Sequence, residues 1–393
     1  MTAHVAPRRW NGQLGLSTDD LPMFFEPRHH ALATRLRDAA PALAASEDIA
    51  GDEAARDRAA ALALTASGLF ELAVPAGDSR ALCLVREMLG FASARADSIF
   101  AVQGLGTQAI AIAGSPAQRG LLPAYAGGER IAAFALTEPE AGSDVAAIST
   151  RATPVDGGYR LDGAKLFISN LGIADHATVV ASTDPARGHA GLTAFWVPLD
   201  ALGVTVTPLA ATAPHPIGAL ALRGVALPAS ARIGEEGQGM KLAMQTLDAF
   251  RVSVGAAAVG MARRALVEAL AFVTTRVQFG KPLAEQQLVQ AHLADMVVDL
   301  DCARLLVLRA AHKKDTSTER ATTEVSIAKL GATEAAQRVI DRAVQLFGGR
   351  GVMAGAIVEH LYRAVRPLRI YEGTSEIQRT IIGRALAQGV KTS

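Results

Sequence analysis

The sequence predicts an α+β protein read in three zones. Residues 1–128 form an N-terminal helical domain, 129–236 a small β-barrel or sandwich, and 237–393 an antiparallel helical bundle. Three observations carry this. Apolar residues recur every three or four positions in the outer zones. In the middle zone they cluster in short runs closed by Gly, Pro, Asp and Asn. The length, 393 residues, exceeds what one ordinary core holds and suits two or three packed units.

In the first zone, residues 31–45, 53–67 and 81–96 carry the helical period, with alanine-rich faces that suit close helix packing. In the second, Val155-Asp156-Gly157-Gly158 leads into Tyr159-Arg160-Leu161, a hairpin turn entering a strand. Residues 131–137, 177–182, 191–197 and 204–208 add four more strands. In the third, long helices are expected near 237–276, 284–313 and 319–347, with shorter ones near 356–364 and 375–387. Long helices with short connections argue a bundle.

Composition narrows the function. Lys and Arg total 39 against 38 Asp and Glu, a net charge of +1, so no basic field invites nucleic acid or a membrane surface. Two distant cysteines, Cys83 and Cys302, suit a reducing compartment and supply neither a disulfide framework nor a Cys-rich metal site. Met1–Trp10 lacks the apolar segment of a secretory signal, and the apolar runs are too short to span a bilayer. A cytoplasmic protein is expected. Neither a Gly-x-Gly-x-x-Gly turn nor a Gly-x-x-x-x-Gly-Lys loop is present, so any nucleotide is held in some other way.

Five segments carry candidate chemistry. In Ile370-Tyr371-Glu372-Gly373-Thr374 an apolar stretch delivers one carboxylate to a glycine, and Ser375 with Gln378 reads as the capping box of a following helix. Partial desolvation there would raise the Glu372 pKa and make it a usable base. The plainer reading pairs it with Arg369. Ala135–Asp144 is a strand running into a Gly-, Ser- and Thr-rich turn, whose N–H and hydroxyl groups could meet a ligand, although such turns are common connections. In Lys165–Asn170, Phe167 and Ser169 stand at i and i+2, on one strand face, able to stack on and bond a planar ring, or simply a core Phe beside a surface Ser. Arg276–Leu283 ends a long helix with cations that cap it or meet phosphate. Gln345–Gly351 places three glycines in four residues, a close-approach site or a helix break.

Taken together, in this order and at these separations, the segments resemble the acyl-CoA dehydrogenase family of FAD-dependent flavoproteins. The resemblance runs from about residue 25 to 390, and Thr137-Glu138-x-x-Ala141-Gly142-Ser143-Asp144 and Tyr371-Glu372-Gly373-Thr374 are its most specific parts. It implies the family's helical, β-barrel and four-helix-bundle layout. It also implies Glu372 as the base that takes the α-proton of an acyl-CoA while the β-hydride moves to flavin N5. Phe134, Leu136 and Thr137 would touch the isoalloxazine, with Phe167 packing on it and Ser169 beside N5. Ser143 would meet the flavin or the pantetheine arm. Arg276, Gln278, Phe279, Gln345 and Gly349 would reach the ADP half of a neighbouring subunit's FAD, and Thr374 and Glu376 would close over the cofactor's other end. Asp248, Arg251 and Gly373 would line the substrate site, although Asp248 and Arg251 also suit an i, i+3 pair. A homo-oligomer, dimer or tetramer, with shared sites follows, as does reoxidation by an electron-transferring flavoprotein or similar acceptor.

Some family members carry the base where this chain has Phe250, which leaves Glu372 without a rival. Phe167 replaces a common Trp, and the segment 75–79 is short where a longer loop is usual. Arg95 is a candidate for a second substrate carboxylate, the plainer reading being a surface arginine. A flavin oxidase or monooxygenase on the same scaffold is the first alternative, and a protein that has lost its flavin the second. The retained Glu372 favours dehydrogenation.

Overall fold

The computed structural model describes residues 16–213 and 215–391. Met1–Trp10, where a targeting signal would stand, lies outside the described residues. Six helices come first: α1 (Pro27–Ala45), α2 (Glu53–Ala66), α3 (Ser79–Ala92), α4 (Ala94–Ala113), α5 (Pro116–Arg119) and α6 (Leu122–Ala126). Eight strands follow: β1 (Ala132–Ala135), β2 (Arg151–Val155), β3 (Gly158–Ser169), β4 (His176–Ser182), β5 (Leu192–Pro198), β6 (Val204–Pro208), β7 (Ile217–Pro228) and β8 (Arg232–Ile233). Then come α7 (Gly239–Thr275), the hairpin β9 (Val277–Gln278) and β10 (Lys281–Pro282), and α8 (Gln287–Thr316), α9 (Thr322–Phe347), α10 (Ile357–Val365) and α11 (Ser375–Lys391). This is the expected α+β order. Among the described residues no helix is long and apolar enough to cross a membrane.

By their contacts the residues form two compact units. One holds residues 42–78 and 95–250, the other residues up to 41, 79–94 and 251 onward.

The first unit is built on one mixed sheet in the order β6-β7-β3-β2-β4-β5-β8, with β1 pairing parallel to β4. The predicted hairpin joins β2 to β3, with Val155 opposite Gly158. Leu161, Val179, Phe195, Val197 and Val225 lie at zero exposure in the sheet's core. The β3–β7 ladder loses register between Lys165 and Ile168, which takes Phe167 out of the regular alternation.

The second unit is helical, with α8 on α9 and α9 against α10 and α11. Helices α3 and α7 approach closely through a reciprocal pair of glycines. A Cβ on Gly90 would stand 2.3 Å from the Ala257 carbonyl oxygen, and one on Gly260 would stand 2.0 Å from that of Glu87. Glu87 on α3 also takes Arg263 of α7 at 2.5 Å and Arg304 of α8 at 3.2 Å, all three buried. An ion triad inside a helical core tolerates no lost partner, because a remaining charge would be buried alone.

Candidate active site

In the helical unit, Pro367 is the second residue of a 3-10 turn over Arg366–Arg369, and the Ile370 and Tyr371 N–H groups both donate to the Pro367 carbonyl. The chain then reverses through two left-handed residues, Glu372 at φ +53° and Gly373 at φ +94°. Glycine is required at the second position: a Cβ there would also stand 2.4 Å from Gln378 Nε2. Glu372 is the informative one, since a left-handed non-glycine residue costs roughly 1–2 kcal/mol and persists only where its surroundings fix it.

Three buried cations, each from a different helix, supply those surroundings. Arg86 of α3 stands 4.0 Å from Glu372 Oε1 and donates to Ser253 Oγ at 3.2 Å. Arg251 of α7 donates through Nε to the Glu372 carbonyl at 3.2 Å. Lys329 of α9, at zero exposure, donates to the Gly373 carbonyl at 2.8 Å. The Glu372 side chain is 7 % exposed. Arg369 is not its partner: that guanidinium binds Glu334 of α9 at 2.9 Å.

The helix start also differs from the sequence reading. Ser375 does not cap α11. It is buried and donates to Glu334 Oε1 at 2.8 Å, while Thr374 Oγ1 accepts the Ile377 N–H at 3.2 Å. A carboxylate on the neighbouring helix offers the Ser375 hydroxyl a stronger acceptor than any local group, so the cap falls one residue earlier. Gln378 turns its amide back to the Gly373 carbonyl at 3.1 Å rather than closing a box. Glu376 stays exposed.

The same unit holds a cavity of about 390 Å³, lined by Phe272, Arg276, Leu283, Phe347, Gly349 and Arg350, within the range of small-molecule sites. Phe272 and Phe347 stack at 4.4 Å, and the Arg350 guanidinium lies 5.9 Å over the Phe272 ring. Two cations lining the cavity, one of them over a stacked ring, suit an anionic group that carries a flat base. Gln345 and Gln278 are exposed nearby in sequence, and Phe279 forms the β9–β10 tip at φ +54° and 95 % exposure.

In the strand unit, Glu138 and Lys165 tie the first two strand motifs together. Lys165 Nζ donates to Glu138 Oε1 at 2.8 Å and to the Leu136 carbonyl at 3.1 Å, with both side chains buried. Glu138 also accepts the Ser149 and Thr150 N–H groups. Burial alone would push the Glu138 carboxyl up, but Lys165 and these bonds bring it down to about 2, while burial pushes Lys165 down to about 8. Between those values both partners are charged. The pair closes the Thr137–Ser143 turn onto β3, and the Leu166 N–H donates to the Thr137 carbonyl at 2.9 Å. Phe134 and Thr137 are half-buried, Leu136 is buried and Ser143 exposed. Phe167 sits at φ +59° and 62 % exposure, so an aromatic ring stands out of the sheet in a strained backbone, beside half-buried Ser169. Such outliers gather at ligand sites.

Arg95 is no surface group and no spare cation. It is 2 % exposed and pairs with Glu47, Glu53 and Asp57. Its charge is committed within its own unit, which leaves none for a substrate carboxylate. Asp248 is exposed, and Phe250 is fully buried with Gly104 against its ring.

Comparison with known proteins decides the kinship. The acyl-CoA dehydrogenase middle-domain model matches residues 133–225, and the C-terminal-domain model residues 237–387. A Mycobacterium tuberculosis protein named as a probable acyl-CoA dehydrogenase is 39% identical over 346 residues, 85% of this chain and 89% of its own. The chain belongs to the acyl-CoA dehydrogenase family. It is accordingly an oxidoreductase of that family. The structure of butyryl-CoA dehydrogenase from Megasphaera elsdenii superposes with a TM-score of 0.84 at 32% identity, covering 92% of this chain and 99% of that one. A glutaryl-CoA dehydrogenase from Mycobacterium smegmatis gives 0.83 at 29% identity over 95% and 98%.

Sequence reading places Glu372 in a turn before a helix, and the structure has it there. It misses Arg86, Lys329 and Glu334, which fix that turn. Lys329 leaves one signal, a cation inside the apolar stripe Val325, Ala328, Ala332 and Ala336 of α9.

Proposed function

We propose that this acyl-CoA dehydrogenase oxidises an acyl-CoA thioester to its 2-enoyl-CoA with FAD, and that Glu372 removes the α-proton. The observation that carries the reading is the Glu372 turn: a carboxylate with little exposure, held in a strained backbone by cations from three helices. A base must be aimed before the substrate arrives, because a misplacement of about 1 Å can cost 10²-fold in rate. The family match adds the thioester as substrate class. When bound, FAD supplies the acceptor for the β-hydride.

The chain's own residues do the rest. Glu372 takes the α-proton onto a carboxylate oxygen, and its backbone N–H can donate to the thioester carbonyl, where charge develops. Phe134, Leu136, Thr137, Phe167 and Ser169 would hold the flavin. The protruding Phe167 ring and the anchored Thr137 turn fit a planar ligand with polar edges. Arg276, Gln278, Phe279, Gln345 and Gly349 would take the ADP half, for which the cavity with two cations and stacked rings is suited. Thr374 and Glu376 would close the cofactor's other end. Ser143, Asp248 and Gly373 are proposed substrate contacts, while Arg251 serves the base through its carbonyl. An oligomer and an electron-transferring flavoprotein or similar acceptor complete the reading, as does the three-domain division at 128 and 236. With Arg95 committed elsewhere, a monocarboxylic acyl group is favoured over a dicarboxylic one.

The test is anaerobic titration of the FAD-loaded protein with a panel of acyl-CoAs, compared with Glu372→Gln. One acyl class should bleach the wild-type flavin, and the variant should keep FAD yet bleach at least 10³-fold more slowly. Bleaching of the variant at the wild-type rate would remove Glu372 as the base. A yellow wild type that no acyl-CoA bleaches would favour the oxidase reading.

A further inference from the structure

Lys329 of α9 is a buried cation that donates to the turn carrying Glu372. The residue is at zero exposure, on the buried face of α9 that also carries Val325, Ala328, Ala332 and Ala336. Desolvation penalises a buried cation heavily, and well-packed apolar side chains of similar volume often serve stability as well or better. Burial pushes the Lys329 ammonium down to about 8, against the pull of the Glu372 charge. A framework role alone gives no reason for a cation here.

The geometry supplies one. Lys329 Nζ meets the carbonyl of Gly373, the residue that completes the left-handed reversal begun at Glu372. The flanks are pinned from the same helix, since Glu334 takes Arg369 before the turn and Ser375 after it. Lys329 reaches between those two anchors, on the reversal itself. Gly373 keeps a second donor, Gln378 Nε2 at 3.1 Å, so loss of the ammonium would not orphan the carbonyl.

We propose that Lys329 is a positioning residue for the base: through the Gly373 carbonyl it fixes the left-handed backbone of Glu372, and with it the aim of the carboxylate. This rests on the reading of Glu372 as the base. A charge-assisted bond of this kind is about twice as strong as a neutral one and directional, which suits a backbone that must resist relaxing to φ < 0. Arg251 holds the preceding carbonyl in the same sense, and Arg86 faces the carboxylate. Of these three cations, Lys329 is the one that acts on the glycine hinge.

The test uses FAD-loaded Lys329→Met, which keeps length and apolar bulk, with Lys329→Gln as a second variant that keeps a donor. The readouts are the saturating rate of flavin bleaching by the acyl-CoA that the wild type uses best, its half-saturation, the melting temperature, and amide hydrogen exchange over residues 371–378. For the Met variant we expect a rate at least 10-fold lower, half-saturation within about twofold, an unchanged or higher melting temperature, and faster exchange in the turn. The Gln variant should recover part of the rate. A Met variant bleaching within twofold of wild type with an unchanged turn would overturn the proposal. So would a rate loss accompanied by lost FAD and a lowered melting temperature, which would mark Lys329 as framework. If Glu372→Gln bleaches as fast as wild type, the base reading itself falls, and turn exchange in the Met variant alone decides whether Lys329 fixes the backbone.

Discussion

Glu138 and Lys165 show what single residues give away and what they hide. Each stands in a segment that the sequence marks, yet their pairing across 27 positions has no local signal; only the sheet brings them together. Arg86, Lys329 and Glu334 are hidden for the same reason. Glu372 is legible because its neighbours in sequence, a glycine and a helix start, define its turn. The buried Glu138 pair also makes a pH prediction. Its carboxyl lies well below the ordinary 4.5, at about 2. A lowered pKa contributes stability that is complete above 4.5 and drains as pH falls toward 2. Glu138→Gln should lose that slope and start lower at pH 7, by about 3–5 kcal/mol, because Lys165 is left as a lone buried charge. Urea unfolding from pH 7 to 2.5 would read both effects. A variant with the wild-type acid slope would show that other carboxylates carry it.

Elements with a clear period are readable in the sequence, and elements buried on all sides are not. The expected strand 204–208 matches β6 to the residue, and α7, α9 and α11 begin within three residues of expectation. Helix α4 escapes delimitation, since residues 95–110 are buried almost throughout and show no polar face to set a period. Strand β7 is missed because Leu and Gly fill most of its buried positions and Ala alternates with them, and these carry little strand preference. Glycines inside helices divide by what surrounds them. Gly260 of α7 lies against the α3 backbone, so Gly260→Ala must push the helices apart and should cost about 1–3 kcal/mol. Gly383 of α11 is exposed, and a Cβ added there would meet nothing within 4 Å, so Gly383→Ala should gain about 0.5–1 kcal/mol from propensity alone. Opposite shifts in melting temperature are expected, and a Gly260→Ala variant as stable as the wild type would contradict the close approach of α3 and α7.

At the scale of the whole molecule, the chain leaves apolar groups in water that a monomer has no reason to expose. Phe279 stands at a hairpin tip, 95 % exposed and left-handed, so solvent exposure and backbone strain fall on the same aromatic residue. On α8, Ala291, Val298 and Leu305 are exposed at seven-residue intervals, two turns apart on one face. Single exposed apolar residues are ordinary, but a repeating helical stripe and a strained aromatic tip together mark an association surface. In an isologous pair each copy would bury the other's stripe, and the tip would be fixed by what it enters. Sedimentation of the FAD-loaded protein should therefore give at least twice the monomer mass. Phe279→Ser should weaken that association and lower FAD retention together, because the tip is proposed to meet the cofactor of a neighbouring copy. Leu202→Ser, at an equally exposed but isolated position in the strand unit, should change neither. A monomer that holds one FAD per chain would separate cofactor binding from assembly, and the exposed tip would then need a partner other than this chain.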